Sequence, residues 1–109
     1  MILVDTGPLV AAALHGDVNH VRCAEFFTAA HLNAEQLLVP SLVVTEVCYL
    51  LARESGPKLE AEFIRSLAAG DFQLTEPISS DLDRAADLVL AYADFPLGAV
   101  DATVIAPLP

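Results

Sequence analysis

Three observations predict an α/β fold with a parallel sheet. The chain carries three short strand-like runs, "ILV" at 2–4, "LLVP" at 37–40 and "FQLT" at 72–75. Longer stretches with helical spacing separate them, and turn or cap residues mark the seams. Strands that alternate with helices form parallel βαβ units, which stack into a doubly wound sheet.

The elements follow in order. "ILV" is an apolar run of the fully buried kind and ends on Asp5. "TGPLVAAAL" then reads as helix, with Thr6 able to cap and Pro8 suited to a first turn. The chain turns at "HGDVNH", and "VRCAEFFTAAHL" is the next helix. "LLVP" is a strand stopped by proline, and Ser41 can cap the helix "SLVVTEVCYLLA", which ends near Gly56 and Pro57. "KLEAEFIRSLAAG" aligns Leu59, Phe63 and Leu67 on one stripe, with Gly70 as its stop. After "FQLT", Ser80 and Asp83 have the spacing of a capping box, and Leu82, Ala86, Val89 and Ala93 form the apolar stripe of the helix that follows. "PLGAVDATVIA" is a last helical stretch before "PLP".

At 109 residues this is one domain, and 55% hydrophobic residues suffice for a core. No apolar segment reaches the length of a membrane span, and "MILVDTG" lacks the features of a signal peptide. Cys23 and Cys48 have neither redox nor zinc spacing and read as buried free thiols, which suits a reducing cytoplasm. The histidines His15, His20 and His31 lack the spacing of a helical ligand pair and read as surface residues. A formal charge of −10 opposes long-range attraction of nucleic acid, so an RNA role needs local compensation.

Three carboxylates stand out. Glu46 interrupts an apolar helix, on a stripe with Leu42, Thr45, Tyr49 and Arg53, and a narrow polar face is enough to explain it. Asp101 has Leu97, Val104 and Ile105 as helical neighbours and no Lys or Arg in its segment; a cap of an irregular turn is the plain alternative. Asp5 directly follows the first strand, where it could cap the next helix or face the ligand crevice of an open α/β sheet. Together the three would repel unless a cation joined them, and an all-oxygen donor set suits Mg²⁺ or Mn²⁺ over zinc.

"MILVDTGPLVAAAL", "LLVPSLVVTEVCYLLA" and "YADFPLGAVDATVIA", in that order, resemble the PIN-domain ribonucleases, especially the VapC-type toxins of toxin–antitoxin pairs. The resemblance implies a three-layer α/β/α fold with a short parallel sheet. It also implies a metal-dependent endoribonuclease in which Asp5, Glu46 and Asp101 hold Mg²⁺ or Mn²⁺, with Thr6 supporting them from behind. Asp94 resembles a recurrent family position, read here as a turn or cap. RNA is the implied substrate, a basic antitoxin protein the implied partner, and the cytoplasm the implied location. The oligomeric state is open, a homodimer among the options.

The resemblance weakens at "DATVIAPLP", where the family continues with a helix, a strand and a fourth acidic or amide residue. The expectation is therefore a domain incomplete at its C-terminus, poorly stable, prone to self-association through an exposed first strand, and weakly active. The alternative reading is an inactive PIN-fold remnant that only binds an antitoxin-like protein. A receiver or dehalogenase type fits poorly: "LTEP" offers Glu76 where a receiver needs Asp, and residue 7 is glycine where a dehalogenase needs its second Asp.

Overall fold

The computed structural model describes residues 1–92 and 99–106. Its elements run β1 (Ile2–Leu3), α1 (Thr6–Ala13), α2 (His20–Leu32), β2 (Leu37–Pro40), α3 (Ser41–Ser55), α4 (Pro57–Ala68), β3 (Gln73–Thr75), α5 (Ser79–Ala91) and α6 (Ala99–Ile105). The strands form one parallel sheet in the order β1-β2-β3, with Ile2 opposite Leu37 and Val39 opposite Leu74. Every strand expected from the sequence is present, and each leads toward a helix at its C-terminal end. Asp94 lies outside the described residues, as do Leu97 and Ala93.

Side chains of β2 alternate between two helical layers, as strand geometry requires. Leu37 and Val39 enter the main core with Val4, Leu9, Phe27 and Phe63, beneath α1, α2, α3 and α4. Leu38 and Leu3 instead line a cavity with Thr103 of α6, on the other side of the sheet. Helix α3 anchors the first layer, because Val43, Val47 and Leu51 recur at helical spacing and all reach zero exposure. Burying each of them contributes about 1.5–3 kcal/mol. Phe72, just before β3, meets Phe27 edge-on at 5.6 Å between ring centres and ties α2 to the third strand.

Four local expectations are corrected. Asp5, not Thr6, caps α1: its Oδ1 accepts from the Thr6 N–H at 2.7 Å, while Thr6 is already inside the helix. Ser41 is the first residue of α3, and its hydroxyl donates to Glu76 rather than capping. Helix α5 starts at Ser79, so the acid that reaches back is Asp81, which accepts from the Ile78 N–H at 3.2 Å, and not Asp83. The stripe of Leu82, Ala86 and Val89 faces outward; Ala85 and Leu88 face inward, because α5 meets Ala102 and Ala106 of α6 through small side chains that permit close approach.

Cys23 and Cys48 are free, as expected, but half-buried rather than fully buried. His15 and His31 are exposed, whereas His20 is half-buried and donates from Nδ1 to the Ala11 carbonyl at 2.9 Å, satisfying one end of α1. Gly56 and Gly70 have φ of +83° and +85°, the left-handed turns that end α3 and follow α4.

Candidate functional site

Because the three strands are parallel, their C-terminal ends share one edge of the sheet, where open α/β folds bind ligands. Asp5 stands at that edge just after β1, exposed to solvent. One of its oxygens is fixed on the Thr6 amide; the other has no partner among the described residues. This bond holds the carboxylate at the N-terminal end of α1.

Thr6, directly behind Asp5, is only 6% exposed, and its Oγ1 has no hydrogen-bond partner among the described residues. A buried hydroxyl left unpaired costs about 1–3 kcal/mol. A fold retains such a group more readily when a polar guest bonds to it.

Glu46 is half-buried on α3 beside the exposed Thr45 and Tyr49, with the core residue Val47 next in the chain. The narrow polar stripe anticipated for this helix is therefore real. Glu46 has neither an ion pair nor a hydrogen bond among the described residues. Arg53, on the same stripe, pairs with Glu54 at 2.9 Å and lies over the Tyr49 ring at 5.8 Å. Asp101 sits in the first turn of α6, exposed, with Ala102 and Thr103 buried after it.

The elements that carry these acids adjoin one another, since α3 packs against both α1 and α6. The side chains do not close into a ligand set: among the described residues no three His, Cys, Asp or Glu side chains converge as metal ligands. Like charges with no cation between them repel, and solvated rotamers relieve that repulsion. By chemistry the donors still suit a hard cation, being carboxylates alone beside an orphaned hydroxyl.

A second acidic group stands at this edge, of which sequence reasoning weighed Glu76 alone, and only as a poor fit to a receiver site. Glu76 follows β3 as Asp5 follows β1, and its Oε2 accepts from Ser41 Oγ at 2.9 Å. Asp81 lies close by on α5, and both line a cavity of about 150 Å³. Position alone could have flagged Glu76, because it occupies the same site after a parallel strand. The helices that begin at this edge thus each meet a carboxylate: Asp5 at α1, Glu76 at α3 and Asp81 at α5.

A larger groove of about 1020 Å³ lies elsewhere, at the C-terminal ends of α1 and α3 and the start of α4. Leu14, Leu50 and Leu59 line it together with Arg53, Lys58 and Glu62. Size favours this groove as the site, but Asp5 and Ser41 begin the same helices that end here. It is therefore remote from the acidic edge.

The PIN domain family matches residues 2–106. Ribonuclease VapC26 of Mycobacterium tuberculosis is 30% identical over 101 residues, which is 93% of this chain and 73% of that protein. The crystal structure of Mycobacterium tuberculosis VapC20, described as a sarcin–ricin loop cleaving toxin, superposes with a TM-score of 0.86 at 18% identity. That match covers 99% of this chain and 81% of the other.

Proposed function

The chain belongs to the PIN domain family and to its VapC-type ribonucleases, and from that premise we propose that it is a metal-dependent endoribonuclease, the toxin of a toxin–antitoxin pair. The observation that carries this reading is the family match across residues 2–106, with an acidic residue at the end of β1 and acids on the two neighbouring helices.

Asp5, Glu46 and Asp101 would hold Mg²⁺ or Mn²⁺. A cation bound there would supply a water of lowered pKa and would neutralise charge on the scissile phosphate. Asp5 contributes a carboxylate whose orientation is set by the Thr6 amide. Glu46 contributes one whose half-burial without a counter-charge gives it reason to accept a cation. Thr6 Oγ1, buried next to Asp5 without a partner among the described residues, would be the supporting hydroxyl.

The surrounding charge supports the need for a cation. No Lys or Arg occurs among residues 4–9, 41–46 or 76–81, the segments that leave the strands at this edge. The N-termini of α1 and α5 already meet carboxylates, and at the start of α3 the Ser41 hydroxyl meets Glu76. RNA can approach this edge only if its phosphate charge is compensated locally.

The same acidic edge, in a chain of net charge −10, suits a basic antitoxin segment as inhibitor. An inactive PIN fold that only binds such a protein is the second reading, and the absence of a converged ligand set among the described residues favours it. The test is cleavage of single-stranded RNA with Mn²⁺, with EDTA, and with the neighbouring gene's product. Metal-dependent cleavage blocked by that product supports the toxin. Binding of that product without any cleavage supports the inactive partner-binding fold.

A further inference from the structure

We propose that the cavity at the C-terminal edge of the sheet is a subsite for one unpaired pyrimidine base of an RNA strand, with cytosine favoured over uracil. The inference rests on the ribonuclease reading and adds to it the base that the substrate presents.

The cavity measures about 150 Å³. A void of that size holds a single six-membered ring. Leu3, Leu38 and Pro40 supply apolar surface for the ring, while Thr75, Glu76, Asp81 and Thr103 supply polar groups for its edge. Sequence-selective RNA recognition works largely in this way, on unstacked bases read at their hydrogen-bonding edges.

The acidic groups are held in place. Glu76 Oε2 takes the Ser41 hydroxyl and Asp81 Oδ2 takes the Ile78 amide, which leaves the second oxygen of each carboxylate without a partner among the described residues. Fixed carboxylate acceptors select a base with an exocyclic amino group, as Asp and Glu do with cytosine N4. Uracil would set its own carbonyl oxygen against the carboxylate. A phosphate is repelled, and a hard cation would find too few oxygens in a cavity that is partly apolar.

The position is also suitable. Leu3 lies on β1 shortly before Asp5, and Thr103 lies on α6 shortly after Asp101. A base seated between them brings its backbone to the edge that carries the proposed cleavage site.

The test is fluorescence anisotropy with short oligouridine strands, with and without one central cytosine, and with a central adenine as control. EDTA ensures that binding is read rather than cleavage, and salt at about 0.15 M screens the acidic edge from the phosphates. The cytosine strand should bind about tenfold tighter than the uridine strand. Glu76→Gln keeps an acceptor for Ser41 but presents an amide N–H, so it should level or reverse that preference. Asp81→Asn should weaken it independently, which covers the case that one variant fails to fold. Equal binding of all strands, preference for adenine, no measurable binding, or a preference unchanged in both variants would overturn the subsite. Cytosine preference without any Mn²⁺-dependent cleavage would count against the ribonuclease reading alone. Cleavage without base preference would count against the subsite alone.

Discussion

Replacing Asp5 separately by asparagine and by alanine resolves its two roles. Its Oδ1 caps α1 through the Thr6 amide at 2.7 Å. Asparagine caps a helix about as well as aspartate, whereas alanine loses about 1 kcal/mol. In a domain of this size that loss lowers the melting temperature by on the order of 4 °C. Mn²⁺ at about one hundred times its dissociation constant stabilises the native state by about 2.7 kcal/mol, or on the order of 10 °C. Without metal, Asp5→Asn should therefore melt at or slightly above the wild-type temperature, because a repelling charge is gone. Asp5→Ala should melt about 4 °C lower. With Mn²⁺ the wild type should gain about 10 °C and both variants almost nothing. Scanning calorimetry across a Mn²⁺ series, with EDTA as blank, reads all of these. A full Mn²⁺ shift in Asp5→Asn would remove Asp5 from the ligand set, and equal metal-free losses in both variants would disprove the cap.

Leu51→Ala, at a position of zero exposure in the main core, should cost about 2–5 kcal/mol in urea unfolding; a loss under 1 kcal/mol would mean α3 is not the anchor of that layer. Gly70→Ala should cost about 1–2 kcal/mol from backbone strain alone, since φ is +85° and no atom lies within 4 Å of the added methyl; an unchanged urea midpoint would contradict this. Burial first, and the Glu60 carboxylate second, push the Cys48 thiol above its ordinary pKa. Its alkylation in Cys23→Ser protein should therefore rise with pH later than that of a free-thiol peptide, and Glu60→Gln should restore part of the difference. A profile that coincides with the peptide's would exclude both causes.

Much of the fold was legible because each strand is a short apolar run bounded by Asp, Pro or Thr-Glu-Pro, and each helix carries its own periodicity. Val43, Val47 and Leu51 all face inward as their spacing requires. Helix α5 was misread because its buried face is set by a partner. Ala85 and Leu88 meet small residues of α6, and the larger Leu82 and Val89 stay outside. Hydrophobicity within one segment carries no record of such a close approach. The positions of Asp5 and Glu46 followed from strand order and the helical wheel. The place of Glu76 after the third strand was legible too, but its bond to Ser41 joins residues from two different βα units, a contact that only the folded sheet creates.

Cleavage of a single-stranded RNA, followed against Mn²⁺ concentration, compares the wild type with Asp5→Asn, Glu46→Gln, Asp101→Asn and the triple variant. Ligands of one metal centre act as a unit, so each single change should abolish nearly as much Mn²⁺-dependent cleavage as the triple. Cleavage that persists in EDTA, or that survives undiminished in the triple variant, would show that these three carboxylates do not form the ribonuclease site.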